Sequence, residues 1–184
     1  MGRCARRVKH ALEEELALSM NQPSVFLDET NLLPGSEWPT TLKHALCHSL
    51  VVVAICAPIY FHPAHPWCGL EWAAMRQLGA MRLAGHHLTA IIPIRFRVTD
   101  PLPEAARDIQ YIDLGPDTLQ SSQYHRRASF RRHIHDIAEQ IAAIADALFR
   151  TNTRPNCDTF AFPADSAFSG YTPQPLLFPF SGAA

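Results

Sequence analysis

The spacing of apolar residues changes several times along the chain, and each change predicts an element. In "ARRVKHALEEELALSM", Val8, Leu12, Leu16 and Ser19 recur three or four residues apart with charges opposite. That spacing places them on one face of an amphipathic helix. "PSVFLD" predicts a short apolar strand ending in Asp28. "ETNLLPGSEWP" predicts a loop, with Pro34 presetting φ and Gly35 free to take a positive φ. Trp38-Pro39 opens a second helix, "PTTLKHALCHS", with Pro39 in its first turn. "LVVVAICA" is a continuous β-branched run, the pattern of a strand buried on both faces of a parallel sheet.

"PIYFHPAHP" is a loop carrying Pro58, Pro63 and Pro66. "WCGLEWAAMRQLGAMRLAG" predicts a third helix closed by Gly85. "HLTAIIPIRF" predicts another buried strand, "RVTDPLPEAARD" a loop with a short helical turn, and "IQYIDL" a weaker strand near the sheet edge. "SFRRHIHDIAEQIAAIADALF" lines up Ile134, Ile137, Ile141, Ile144 and Leu148 on one face of a final helix. From Thr151 the period stops and Pro, Ser and small residues dominate. Two units follow: a domain over 1–150 and a tail over 151–184, expected to be disordered. The phenylalanines of the tail leave open its docking on a partner or on the domain itself.

Strands alternating with helices imply a parallel sheet covered on both faces. Right-handed crossovers then reduce the topology to an α/β, flavodoxin-like three-layer sandwich. Ligands on such sheets bind beyond the C-terminal strand ends.

Composition bounds the function classes. The 184 residues are 47% hydrophobic and 18% charged, which suits one packed domain. A formal net charge of −1 gives no global field favouring nucleic acid or an anionic membrane, so neither is an expected partner. The basic run "HRRASFRRH" reads as the solvated face of a helix. The five cysteines are odd in number and show no CxxC spacing, so reduced thiols and no disulfide framework are expected. The longest apolar runs fall short of the roughly 20 residues that span a bilayer. The first residues read as helix rather than as the apolar core of a leader, and the expected location is cytoplasmic.

Candidate chemistry concentrates in "HPAHPWCGLEW". Glu71 falls in the first turn of the third helix, where an ionised acid is favoured by the macrodipole. It also falls where a catalytic carboxylate would lie on a parallel sheet. Trp67 and Cys68 precede it by four and three residues and share its face. Tyr60, in the loop before, faces substrate or is simply half-buried. Asp28 bonds a ribose or caps a turn, and Trp38 is a lid or packs its loop. His62, His65 and Cys68 invite a zinc reading, but no fourth ligand stands at ordinary spacing, so no metal is expected. No Gly-rich phosphate motif occurs. Phosphates would rest on helix N-termini near Gly35 or Trp67.

The stretch from "SVFLDETNLLPGSEW" through "APIYF" to "WCGLEW" resembles the core of a TIR (Toll/interleukin-1 receptor-like) domain of the bacterial type. The Trp-Cys-x-x-Glu motif, Trp67 to Glu71, is its most specific part. The resemblance runs from about Arg3 to Phe149. It implies one of two activities: hydrolysis of NAD+ at the nicotinamide–ribose bond on self-assembly, in signalling or defence, or a non-catalytic scaffold that docks on other TIR domains. In the enzymatic reading Glu71 is catalytic. Asp28, Leu33, Pro34, Gly35, Trp38, Tyr60, Trp67 and Cys68 line the nucleotide site, and NAD+ is the substrate rather than a cofactor. The loop from Glu29 to Trp38 also takes part in assembly, so a homo-oligomer is expected of the active form.

The chain departs from the family at its start. The first central strand, with its loop, is missing from the sequence, which opens inside the first helix. That leaves a gap in the middle of the sheet, for which "DTFAFPADSAF" is a candidate filler. A truncated, inactive TIR domain is therefore a further alternative. A nucleoside deoxyribosyltransferase-like enzyme shares the sheet type and a catalytic glutamate, but the Pro-Gly-x-x-Trp loop and the Trp-Cys pair speak against it.

Overall fold

A computed structural model describes residues 2–27, 37–62, 64–96, 102–115 and 123–168. Helix α1 spans Gly2–Leu16 and buries Cys4, Val8, Leu12 and Leu16, one residue per turn. Helix α5 spans Ala128–Thr151 and buries Ile134, Ile137, Ile141, Ile144 and Leu148, the face its periodicity predicts. These two helices pack on each other. Arg7 lies over the Tyr124 ring just before α5, and Glu15 reaches His135 two turns into it, so the helices run side by side in one direction. Each fully buried Leu or Ile, such as Leu12 or Ile144, contributes about 2 kcal/mol relative to exposure.

The sheet is parallel and consists of β1 (Val52–Cys56), β2 (Ile91–Arg95) and β3 (Ile112–Asp113), in that order. Val53 pairs with Ile92 and Ile55 with Ile94. Helices α2 (Trp38–His48) and α3 (Pro66–Arg82) pack on each other. A short helix α4 (Glu104–Arg107) supplies the helical turn expected in its loop. The mixed α/β arrangement, with an open parallel sheet and crossover helices, agrees with the flavodoxin-like class.

Four expectations need correction. "PSVFLD" is not a strand: residues 23–27 carry no ladder, although Val25 and Phe26 pack against the core. A strand needs a neighbour, and among the described residues none pairs with this segment. Among the described residues β1 pairs only with β2. The weak strand "IQYIDL" is at the sheet edge as expected, but it pairs over two residues only, Ile112 and Asp113. Pro93 has no N–H for a ladder, and β3 begins pairing one residue later, at Ile94.

Third, the cysteines are not all reduced: Cys47 and Cys157 form a disulfide, with Cα atoms 5.7 Å apart. Fourth, residues 152–168 of the expected tail do not leave the domain. Phe160 and Phe168 are buried, at 6% and 5% exposure. The remaining tail, 169–184, lies outside the described residues.

Arg82 closes α3 and is the one buried charged side chain among the described residues. It donates to the carbonyl of Ser49 at 2.7 Å and to that of Cys47. A cation thus sits on the C-terminal carbonyls of α2, where the helix dipole favours it. Beyond α3, Gly85 adopts φ +85°, a conformation that glycine tolerates without strain.

Candidate active site

β1 ends at Cys56, and the chain turns through a 3-10 segment, Pro58–Phe61, before α3 begins at Pro66. This short return places Tyr60 and the first turns of α3 together beyond the C-terminal end of β1. Glu71 is the sixth residue of α3 and half-buried, in the second turn rather than the first. The dipole fades within the first turn, so it does little for this acid. What surrounds Glu71 matters more.

Tyr60 is 7% exposed, more deeply buried than a half-buried tyrosine. Burial first, then the charges of Glu71, Cys56 and Cys68, hold its phenol well above the ordinary range. It therefore stays protonated and can donate a hydrogen bond at any working pH. The Cys56 thiol, fully buried, is pushed up to about 12 by burial and then by Cys68, which makes it inert as a nucleophile. Cys68 is half-buried and not in a disulfide. Tyr60, Cys56, Cys68 and Glu71 thus form one electrostatically coupled group, assembled from β1, the 3-10 turn and α3.

Aromatic rings wall the group. Tyr60 stands edge-on to Phe61 at 5.4 Å and to Trp72 at 6.5 Å. Trp67, on the face of Glu71, packs edge-on against Phe162 at 5.7 Å. Phe168 completes the cluster, 4.9 Å from Phe61, 5.9 Å from Tyr60 and 5.6 Å from Trp72. Trp72, Phe162 and Phe168 were not legible as site neighbours. Trp72 sits on the core face of its helix, and the tail phenylalanines follow no period.

Of the expected site residues, Tyr60, Trp67, Cys68 and Glu71 come together. Asp28, Leu33, Pro34 and Gly35 lie outside the described residues. Trp38 opens α2 through its backbone, and its side chain is also outside them. His62 and His65 are exposed, with ring centroids 6.2 Å apart. A groove lined by Cys47, Leu50, Arg82, Leu148, Phe149 and Cys157 lies at the other end of α3. It has no acid in its lining and is a seam between helix ends.

A family model described as "TIR domain" matches residues 4–134, more than two thirds of the chain. No curated protein and no solved structure matches. Among the described residues no helix is long and apolar enough to cross a membrane.

Proposed function

The chain belongs to the TIR domain family, and from that premise we propose that it hydrolyses NAD+ at the nicotinamide–ribose bond when copies assemble, with Glu71 as the catalytic carboxylate. The observation that carries this reading is the half-buried Glu71, coupled to the buried Tyr60 beyond the end of β1. The reaction consumes NAD+ and water and releases nicotinamide, ADP-ribose and a proton. The leaving group departs as a neutral pyridine, so no acid is needed to protonate it. Positive charge develops on the ribose carbon, and an adjacent carboxylate stabilises that oxocarbenium-like state. The protonated Tyr60 phenol is available to hold a ribose hydroxyl or a carboxamide. Trp67 offers a flat face for a nicotinamide or adenine ring. Signalling or defence is the biological setting such an activity fits.

The test is nicotinamide release by the purified chain at high concentration, beside Glu71→Gln. Loss of at least a hundredfold in turnover, with unchanged fold, is the expected result. Equal turnover in both proteins would remove Glu71 from the chemistry.

A second reading has its own support. Residues of the tail pack against Trp67, Tyr60 and Trp72, which suits a domain that docks on other TIR domains without catalysis. Self-association without NAD+ loss, in a sample whose tail has been released, would favour it.

A further inference from the structure

The segment after α5 is anchored at two points, and both bear on the proposed site. Asn152 ends α5 in a left-handed conformation, φ 50°, and turns the chain away. Five residues later Cys157 is joined to Cys47 at the end of α2. The chain then crosses to the opposite end of α3 without regular structure. There Phe162 packs on Trp67, and the Ala167 N–H donates to the Gly69 carbonyl at 3.1 Å. Ser166 Oγ accepts from the Phe168 N–H at 3.3 Å, folding the last turn so that the Phe168 ring enters the space between Tyr60, Phe61 and Trp72. Trp67, Gly69 and Trp72 all lie within four residues of Glu71.

The helix is shaped for this contact at a single atom. A Cβ on Gly69 would overlap Ser166 Oγ outright, stand 3.0 Å from Ser166 Cβ and 3.2 Å from the Phe168 ring. Its three nearest neighbours all belong to this segment. The missing side chain at Gly69 thus leaves room for this segment.

We infer that residues 157–168 form a displaceable strap that fills the aromatic cleft beside Glu71, with the Cys47–Cys157 disulfide as its latch. Phe168 occupies the place that a flat ring of an incoming ligand would take. Opening the latch is thiol–disulfide exchange with a dithiol reductant. The dithiol gives two electrons and two protons, the S–S bond breaks, both cysteines emerge as thiols, and the reductant leaves as its own disulfide. The strap then holds by its ring contacts and the Ala167–Gly69 hydrogen bond alone, and exchanges with ligand. The inference names the regulation of the site proposed above and rests on that reading only for the identity of the ligand.

The experiment compares the full chain with Cys157→Ser, Gly69→Ala and Gly69→Ala/Ser166→Gly. Two quantities are read: the alkylation rate of Cys68 by iodoacetamide, followed by peptide mass spectrometry, and nicotinamide release from NAD+. Helical circular dichroism confirms that each variant is folded. Gly69→Ala keeps the disulfide and strengthens the helix, so it tests displacement without loss of the fold. Both single variants are expected to alkylate Cys68 at least tenfold faster, and Ser166→Gly to bring the Gly69→Ala rate back toward the parent. Parent-like alkylation in both single variants overturns the strap. Faster alkylation with intact NAD+ in every variant keeps the strap and removes the hydrolase reading. Equal NAD+ cleavage by all four proteins, with parent-like alkylation, keeps the hydrolase and removes the strap.

Discussion

Arg82 and Ser49 are 33 residues apart in sequence, yet the guanidinium of one donates to the carbonyl of the other at 2.7 Å. A second donation reaches the Cys47 carbonyl. The last residue of α3 therefore caps the end of α2, and burial lowers its pKa without neutralising it. Replacing Arg82 by Met keeps the apolar stem and leaves two helix-end carbonyls uncapped. The expected cost is about 3 kcal/mol, a fall in Tm of roughly 6–12 °C for a chain of this size. Thermal melts of Arg82→Met and Arg82→Lys check it. Lys carries a single point of donation and should recover only part of the loss.

The thiol count is a direct test of the Cys47–Cys157 bond. Unfolded without reductant, the chain should titrate three thiols, those of Cys4, Cys56 and Cys68, and five after reduction. Closing 110 residues into one loop restricts the unfolded chain, and the chain-entropy model puts the stabilisation at about 4–5 kcal/mol. Denaturant titrations with and without dithiothreitol measure it. Five thiols without reductant would rule the bond out.

His135 gives the fold a pH signature. Its hydrogen bond to Glu15 at 2.7 Å, then the charge of Glu139, raises its pKa above 6.5. A raised histidine stabilises the fold fully below the unfolded value of 6.5, and the contribution is lost as pH rises through the higher folded value. Parent and His135→Gln should therefore differ in Tm at pH 5.5 and converge above pH 8. A titration of the His135 ring by NMR should give a value above 6.5. A gap between the two proteins that widens with pH would contradict the assignment.

The start of α5 stacks charge against its own dipole. Arg126, Arg127, Arg131 and Arg132 surround the first turn, which holds no acid. Ala128, the first residue of the helix, is exposed. Ala128→Glu places a carboxylate at the positive helix end and three and four residues before Arg131 and Arg132. A gain of about 1 kcal/mol is expected, diminishing with added salt. Melts at low and high ionic strength read both the gain and its screening.

Elements whose own residues determine them were legible. The isoleucine face of α5 and the β-branched run of β1 each carry their period locally, and both were found where expected. What depended on distant partners was not. "PSVFLD" has strand composition, but strand pairing is supplied by a neighbour. Cys47 and Cys157 have no spacing that announces them, because a disulfide across 110 residues is set by the fold. The same holds for Phe160, Phe162 and Phe168, which dock one by one on rings from other elements. Of the candidate site, Trp67, Cys68 and Glu71 could be gathered from the motif, and Tyr60 from the loop before it. The depth of Tyr60 and the strap beside it required the assembled structure.

The bond between Cys47 and Cys157 also changes what kind of object the chain is. The polypeptide between them closes into a ring that contains all three strands and Glu71. Two arms extend from the ring: everything before Cys47, with α1 and most of α2, on one side, and the strap on the other. A single backbone cut inside the ring leaves one covalent molecule, which keeps its mass on a non-reducing gel. A cut in either arm releases a fragment. The strap can thus be removed by proteolysis, while the carboxylate it borders stays enclosed in the ring.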